Sequence, residues 1–193
     1  VGNKGTKISQ EKIENTKRLF KEATDDYSGI YAFYIYDLNG DYYFGLNHQE
    51  TMQAASLIKL PVMYMAMKEG KDKSLIEAMG KRSDNNAFIK MVSILGKENV
   101  NKTISELGMS KTSLSENITT PEEIGIFFKK LYKEELLNKE DTKELESYMT
   151  NTIFEDFLRP GIPEDITLVH KYGREEHVIN DAGIVMSDKP FVI

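Results

Sequence analysis

The chain contains no cysteine and no tryptophan, and its 193 residues include only three histidines and five prolines. Without cysteine there is no disulfide framework, thiol nucleophile or thiolate metal ligand. His48, His170 and His177 have no ligand-like spacing, which argues against a metal centre. No Gly-rich phosphate loop is present, so no cofactor is implied. No apolar run approaches the roughly 18 residues needed to span a bilayer. The longest, Leu60 to Met67, reads as a buried helix. Basic residues are not in excess: 25 Lys and Arg stand against 31 Asp and Glu, a net charge of −6. That balance argues against nucleic acid as a partner. Asp25-Asp26 and Glu122-Glu123 are adjacent pairs that read as helix starts, not as the separated carboxylates of a glycosidase. The chain opens at Val1 with no signal peptide in view, as expected if a leader or anchor has been removed.

What is present points to one domain, or two interleaved lobes. Lys4 to Glu22 reads as an amphipathic helix with Ile8, Ile13, Leu19, Phe20 and Ala23 on its apolar side. Ile30 to Asp37 is aromatic and β-rich, Asn39-Gly40 is a hairpin signal, and Tyr42 to Phe44 returns. From Ser56 to about Phe157 the pattern is helical, with Gly70, Gly96 and Gly108 near helix ends. From Ile166 onward strands resume. Strands, then helices, then strands predict an α/β fold of α+β type: an antiparallel sheet flanked by helices, with an all-helical lobe inserted. The expected sheet lobe covers about 1–55 and 158–193, and the helical lobe about 56–157, within a single unit over 1–193.

The most informative tetrad is Ser56-Leu57-Ile58-Lys59. On a helix, positions i and i+3 share a face, so Lys59 reaches the Ser56 hydroxyl and takes its proton. A serine hydroxyl needs such a base to act as a nucleophile at neutral pH. The same spacing recurs in Ser9-Gln10-Glu11-Lys12, which reads as an ordinary helix start. Ser56 differs in its surroundings. Gln53-Ala54-Ala55 precedes it and Leu60-Pro61-Val62-Met63 follows, a setting that buries the lysine and lowers its pKa.

Two further motifs follow in order. Ser83-Asp84-Asn85 opens a helical run from Asn86 to Leu95, and all three residue types also suit a helix cap. Lys171-Tyr172-Gly173 ends the strand-like run Ile166 to His170, where a solvated lysine is also commonplace. Together the three motifs resemble the S-x-x-K, S-D-N and K-T-G set of penicillin-recognising serine enzymes, most closely class A β-lactamases. The resemblance extends to Asn117-Ile118-Thr119-Thr120-Pro121, Gly161-Ile162-Pro163 and Asn180 to Val185, and covers roughly Ile30 to Ile193.

The resemblance implies a role for each matching residue. Ser56 would form the acyl-enzyme, with Lys59 as its base or proton relay. Ser83 would pass the proton to the leaving nitrogen. Asn85 would hold the substrate's acylamide, and Lys171 would attract its carboxylate. Tyr172 and Gly173 would line the substrate cleft. The backbone N–H groups of Ser56 and Arg174 would form the oxyanion hole, each donor contributing on the order of 3 kcal/mol.

Three features depart from that family. Tyr172 stands where a small hydroxyl residue is usual. The loop that carries the deacylating glutamate is reduced to Ser110 through Asn117, with Glu116 its only acid. Lys189 to Ile193 looks like only the start of the fifth strand, so an incomplete chain or a partner's segment completing that strand is expected. The expected activity is acylation by β-lactams or D-Ala-D-Ala-type peptidoglycan peptides with slow deacylation. The alternative is a β-lactam sensor or a cell-surface structural module that keeps the fold without turnover. Either would place the protein outside the cell or in the cell envelope.

Overall fold

A computed structural model describes residues 8–193. The part of the expected first helix before Ile8 lies outside them. Helix α1 runs Gln10–Thr24, with Ser9 as N-cap accepting from the Lys12 nitrogen at 3.3 Å. The second Ser-x-x-Lys match is therefore a helix start. Ile13 faces inward, whereas Leu19 is exposed. Asp25 caps the C-terminal end of α1, so the Asp25-Asp26 pair closes a helix and does not open one.

Strands β1 (Phe33–Asp37) and β2 (Tyr42–Leu46) form the first hairpin. Its turn is not the two-residue Asn-Gly type that the sequence predicts. Asp37 pairs with Tyr42, and four residues intervene. The Asp37 carboxylate accepts from Asn39 and Gly40, and Asp41 takes the left-handed conformation at φ 52. An aspartate that bonds its own turn stabilises the longer loop.

β5 (Thr167–Glu175), β6 (Val178–Met186) and β7 (Phe191–Val192) complete a five-stranded antiparallel sheet in the order β2-β1-β7-β6-β5. β7 lies between the first strand and the fourth of this sheet. It pairs with only Tyr36 and Asp37 on one side and with Ile184 and Val185 on the other. Beside it, β1 and the first half of β6 border an apolar cavity of about 1380 Å³, lined by Phe20, Phe33, Ile35, Leu57 and Ile179 among others.

Between the two halves of the sheet come α2 (Lys59–Lys68), α3 (Lys73–Arg82), α4 (Asn85–Leu95), α5 (Lys97–Glu106), α6 (Pro121–Tyr132) and α7 (Lys139–Tyr148). α2 is buried from Lys59 through Met67, as its apolar sequence requires of a helix with no solvated face. A short ribbon of β3 (Met52–Gln53) and β4 (Ile118–Thr119) leads into α2 and α6.

Side-chain alternation along β1 joins the layers. Phe33 meets Phe20 of α1 at 4.8 Å on one face. Tyr34 and Tyr36 face α6 on the other. A Cβ at Gly125 would lie 2.3 Å from the Tyr34 ring, so glycine permits the close approach of α6 to the sheet. Thr120 caps α6 by accepting from the Glu123 nitrogen, with Pro121 at its first position.

Candidate active site

Ser56 sits in a 3₁₀ turn, Ala55–Ile58, and Lys59 begins α2. Ala55 has φ 48, a left-handed conformation that costs a non-glycine residue about 1–2 kcal/mol. Neighbouring bonds hold it there. The Ala54 nitrogen donates to the Asn117 carbonyl at 2.7 Å. Asn180 of β6 donates its side-chain amide to the Gln53 and Ala54 carbonyls at 2.8 and 3.1 Å.

Lys59 is 2% exposed and joins three parts of the chain. Its Nζ lies 2.8 Å from Ser56 Oγ, 2.7 Å from the Ser83 carbonyl, 3.1 Å from Ser83 Oγ and 2.6 Å from Asn85 Oδ1. Burial lowers its pKa to about 8, against the opposing charges of Asp84 and Glu175. Both of those carboxylates are engaged. Asp84 accepts from the Ala87 nitrogen at 2.8 Å. Glu175 accepts from Gln53 Nε2 at 3.0 Å and from Asn117 Nδ2 at 2.9 Å.

The Ser83-Asp84-Asn85 triplet divides its labour. Asp84 caps α4. Ser83 ends α3 in the left-handed region at φ 54, and its carbonyl and hydroxyl both reach Lys59. Capping and site geometry thus coexist in three consecutive residues.

Lys171 is not at a strand end. β5 continues to Glu175, which makes Lys171 a central residue, 1% exposed. Its Nζ donates to Ser83 Oγ at 3.0 Å and to the Tyr172 carbonyl at 2.6 Å. Burial, reinforced by the charge of Lys59, lowers its pKa to about 7. Ser83 Oγ therefore lies between two lysine nitrogens.

Gly173 packs against the nucleophile turn, where an added Cβ would fall 2.9 Å from the Ser56 nitrogen. The His170 nitrogen donates to the Met149 carbonyl, away from β6. By strand alternation the Tyr172 and Arg174 N–H groups also point from the free edge of β5. The side chain of Arg174 is exposed. The Tyr172 ring stacks on Phe154 and Phe157 at 4.9 and 5.1 Å.

Glu116 is exposed in a tight turn, its nitrogen bonded to Ser113 Oγ at 3.3 Å. Ser110 to Asn117 is fastened on one side by buried Glu123, which accepts from Lys111 N and Thr112 Oγ1. On the other side the Asn117 carbonyl zips it to Ala54.

The family model for the β-lactamase enzyme family matches residues 14–75 and 71–193. The chain belongs to the β-lactamase enzyme family. Its fold is that of solved members and relatives. PBP-A is 21% identical, with a TM-score of 0.84 over 92% of this chain and 84% of that one. A β-lactamase from Sphaerobacter thermophilus DSM 20745 is 19% identical, with a TM-score of 0.84 over 96% and 87%. A PBP-A variant solved as an acyl-enzyme complex with penicillin G is 21% identical, with a TM-score of 0.84 over 93% and 85%. No curated protein matches the chain.

Sequence reading alone did not find Asn180, Glu175, Phe154 and Phe157 at this family member's site. Asn180 and Glu175 lie on the β5–β6 hairpin, whose register would have revealed them had its turn at Glu176-His177 been recognised. The two phenylalanines carry no periodic signal because their segment is irregular.

Proposed function

We propose that this protein is an active-site serine hydrolase that is acylated on Ser56 by β-lactams or D-Ala-D-Ala-type peptidoglycan peptides and releases the acyl group slowly. The observation that carries the reading is the coordination of Lys59. Two of its four partners, the Ser83 carbonyl and Asn85 Oδ1, only accept, and they are the two closest. A neutral amine gives its two hydrogens to them and directs its lone pair at the Ser56 hydroxyl, 2.8 Å away.

Ser56 Oγ then attacks the substrate carbonyl carbon as its proton passes to Lys59. The oxyanion takes the N–H groups of Ser56 and Arg174. The carbon–nitrogen bond breaks, and the proton reaches the leaving nitrogen through Ser83 Oγ, which Lys59 and Lys171 flank. Asn85 Oδ1 is held by Lys59, which leaves its amide N–H₂ for the substrate's acylamide. Lys171, when protonated, draws the substrate carboxylate.

Slow release follows from the engagement of the carboxylates near the site. Asp84 caps a helix, Glu175 is held by two amides, and Glu116 is exposed. The short Ser110–Asn117 stretch leaves that side of the cleft open to a peptide. The penicillin acyl-enzyme of the PBP-A variant, on the same fold, supports the reading. Such a substrate places the protein in the cell envelope or outside the cell.

A chromogenic cephalosporin tests the proposal. The expected result is a burst of about one product per enzyme followed by slow turnover. Fast turnover without a burst would overturn slow deacylation. Absence of reaction with both the cephalosporin and a D-Ala-D-Ala peptide would overturn the whole reading.

A further inference from the structure

His170 is fully buried on the face of β5 opposite Lys171. The acylation scheme makes no use of it, and packing does not account for it. Its Nδ1 lies 2.8 Å from Asp181 Oδ1, and its Nε2 lies 3.3 Å from Glu155 Oε1. Both partners are carboxylates, so a ring that satisfies both carries two N–H groups and a positive charge. Gly183, opposite it on β6, makes room, since a Cβ there would fall 2.6 Å from His170 Cβ.

The two carboxylates also tie down one segment of chain. Glu155 Oε1 accepts from the Thr152 nitrogen at 2.6 Å and from its hydroxyl at 3.1 Å. Asp181 Oδ2 accepts from the Leu158 nitrogen at 3.1 Å. Between those anchors, Phe154 and Phe157 stack on Tyr172, which shares the His170 face of β5. The Tyr172 carbonyl in turn accepts from Lys171.

We propose that His170 is a positioning residue: as an imidazolium bridging Asp181 and Glu155, it clamps residues 152–158 against β5 and so fixes Tyr172 and, through its carbonyl, the Lys171 ammonium. The charged groups that face the ring are Asp181 from β6 and Glu155 from the clamped segment. Lys171, next to it on β5, points to the other face.

Burial alone would lower the pKa of His170, but the two carboxylates outweigh burial and raise it above 6.5. The sign follows from linkage. The clamp's contribution is fully present below the unfolded pKa and is lost as pH rises through the higher folded one.

The test uses the full chain, as wild type and as Glu155→Gln, which keeps the shape but removes one charge. Imidazole NMR follows His170, amide exchange follows Thr152 and Leu158, and the acylation rate is read on the same pH series. In wild type, His170 titrates above 6.5, and the exchange protection of both amides falls at least tenfold across its midpoint. Glu155→Gln lowers that midpoint and moves the protection step with it. Titration at or below 6.5, protection unchanged across the midpoint, or a step that stays put in Glu155→Gln would overturn the clamp.

Only the kinetic readout rests on the proposed acylation of Ser56. Absence of acylation with the protection step intact defeats that reading and leaves the clamp standing. If acylation occurs, the clamp requires that the fall in acylation efficiency at subsaturating, carboxylate-bearing substrate move with the midpoint in Glu155→Gln. A fall that stays put in Glu155→Gln would overturn the positioning role.

Discussion

Replacing Gly173 with alanine places a carbon 2.9 Å from the Ser56 nitrogen and 3.2 Å from both the Ala54 oxygen and the Leu57 nitrogen. All three are backbone atoms, so no side chain swings aside to relieve the contact. An ordinary separation of about 3.5 Å requires a shift of about half an ångström. β5 is paired with β6 along its whole length, so the turn carrying Ser56 is the part that yields. Such overpacking costs about 1–3 kcal/mol. A misplacement of about 1 Å costs on the order of a hundredfold in rate, so half of that predicts about tenfold slower acylation. Urea unfolding and stopped-flow acylation with a fluorescent penicillin read the two effects. Wild-type stability together with a wild-type rate in Gly173→Ala would refute the close apposition of β5 and the nucleophile turn.

Lys59→Ala should slow acylation by about 10²–10⁴-fold; an unchanged rate would move the base elsewhere. In wild type, the acylation rate at saturating substrate should rise with pH and level off above about 8, where Lys59 has lost its proton. Apparent affinity for a carboxylate-bearing substrate should weaken as pH rises through about 7, where Lys171 loses its charge. A pH-independent rate between 6 and 9 would contradict this assignment. Thr120→Ala removes the cap of α6 and should cost about 1 kcal/mol in chemical denaturation. Glu123→Ala leaves the Lys111 nitrogen without its acceptor and the buried Thr112 hydroxyl with Thr119 alone, and should cost about 1–3 kcal/mol; a neutral result would mean that the 110–117 turn is held by other bonds.

The pairing of Ser56 with Lys59 was legible because i and i+3 meet in a 3₁₀ turn as well as in an α-helix. The convergence of Ser83 and Lys171 on that pair was legible only through the resemblance, since no local rule brings together residues 88 positions apart. The end of β5 was misplaced because Lys171, Arg174 and Glu175 look like solvated residues. Burying Lys171 depends on a depressed pKa and on Ser83, neither of which is visible in a single strand. The bridging position of His170 was not legible because its two carboxylates come from other elements. The hairpin turn was misjudged because Asn39-Gly40 masked the role of Asp37 in closing a longer loop.

The most direct measurement is an intact-mass time course with a simple penicillin, followed by peptide mapping of wild type and Ser56→Ala. The account predicts a long-lived adduct of one penicillin on Ser56, absent in the variant, with little change in the variant's stability. An adduct on any other residue, or one that persists in Ser56→Ala, would contradict it.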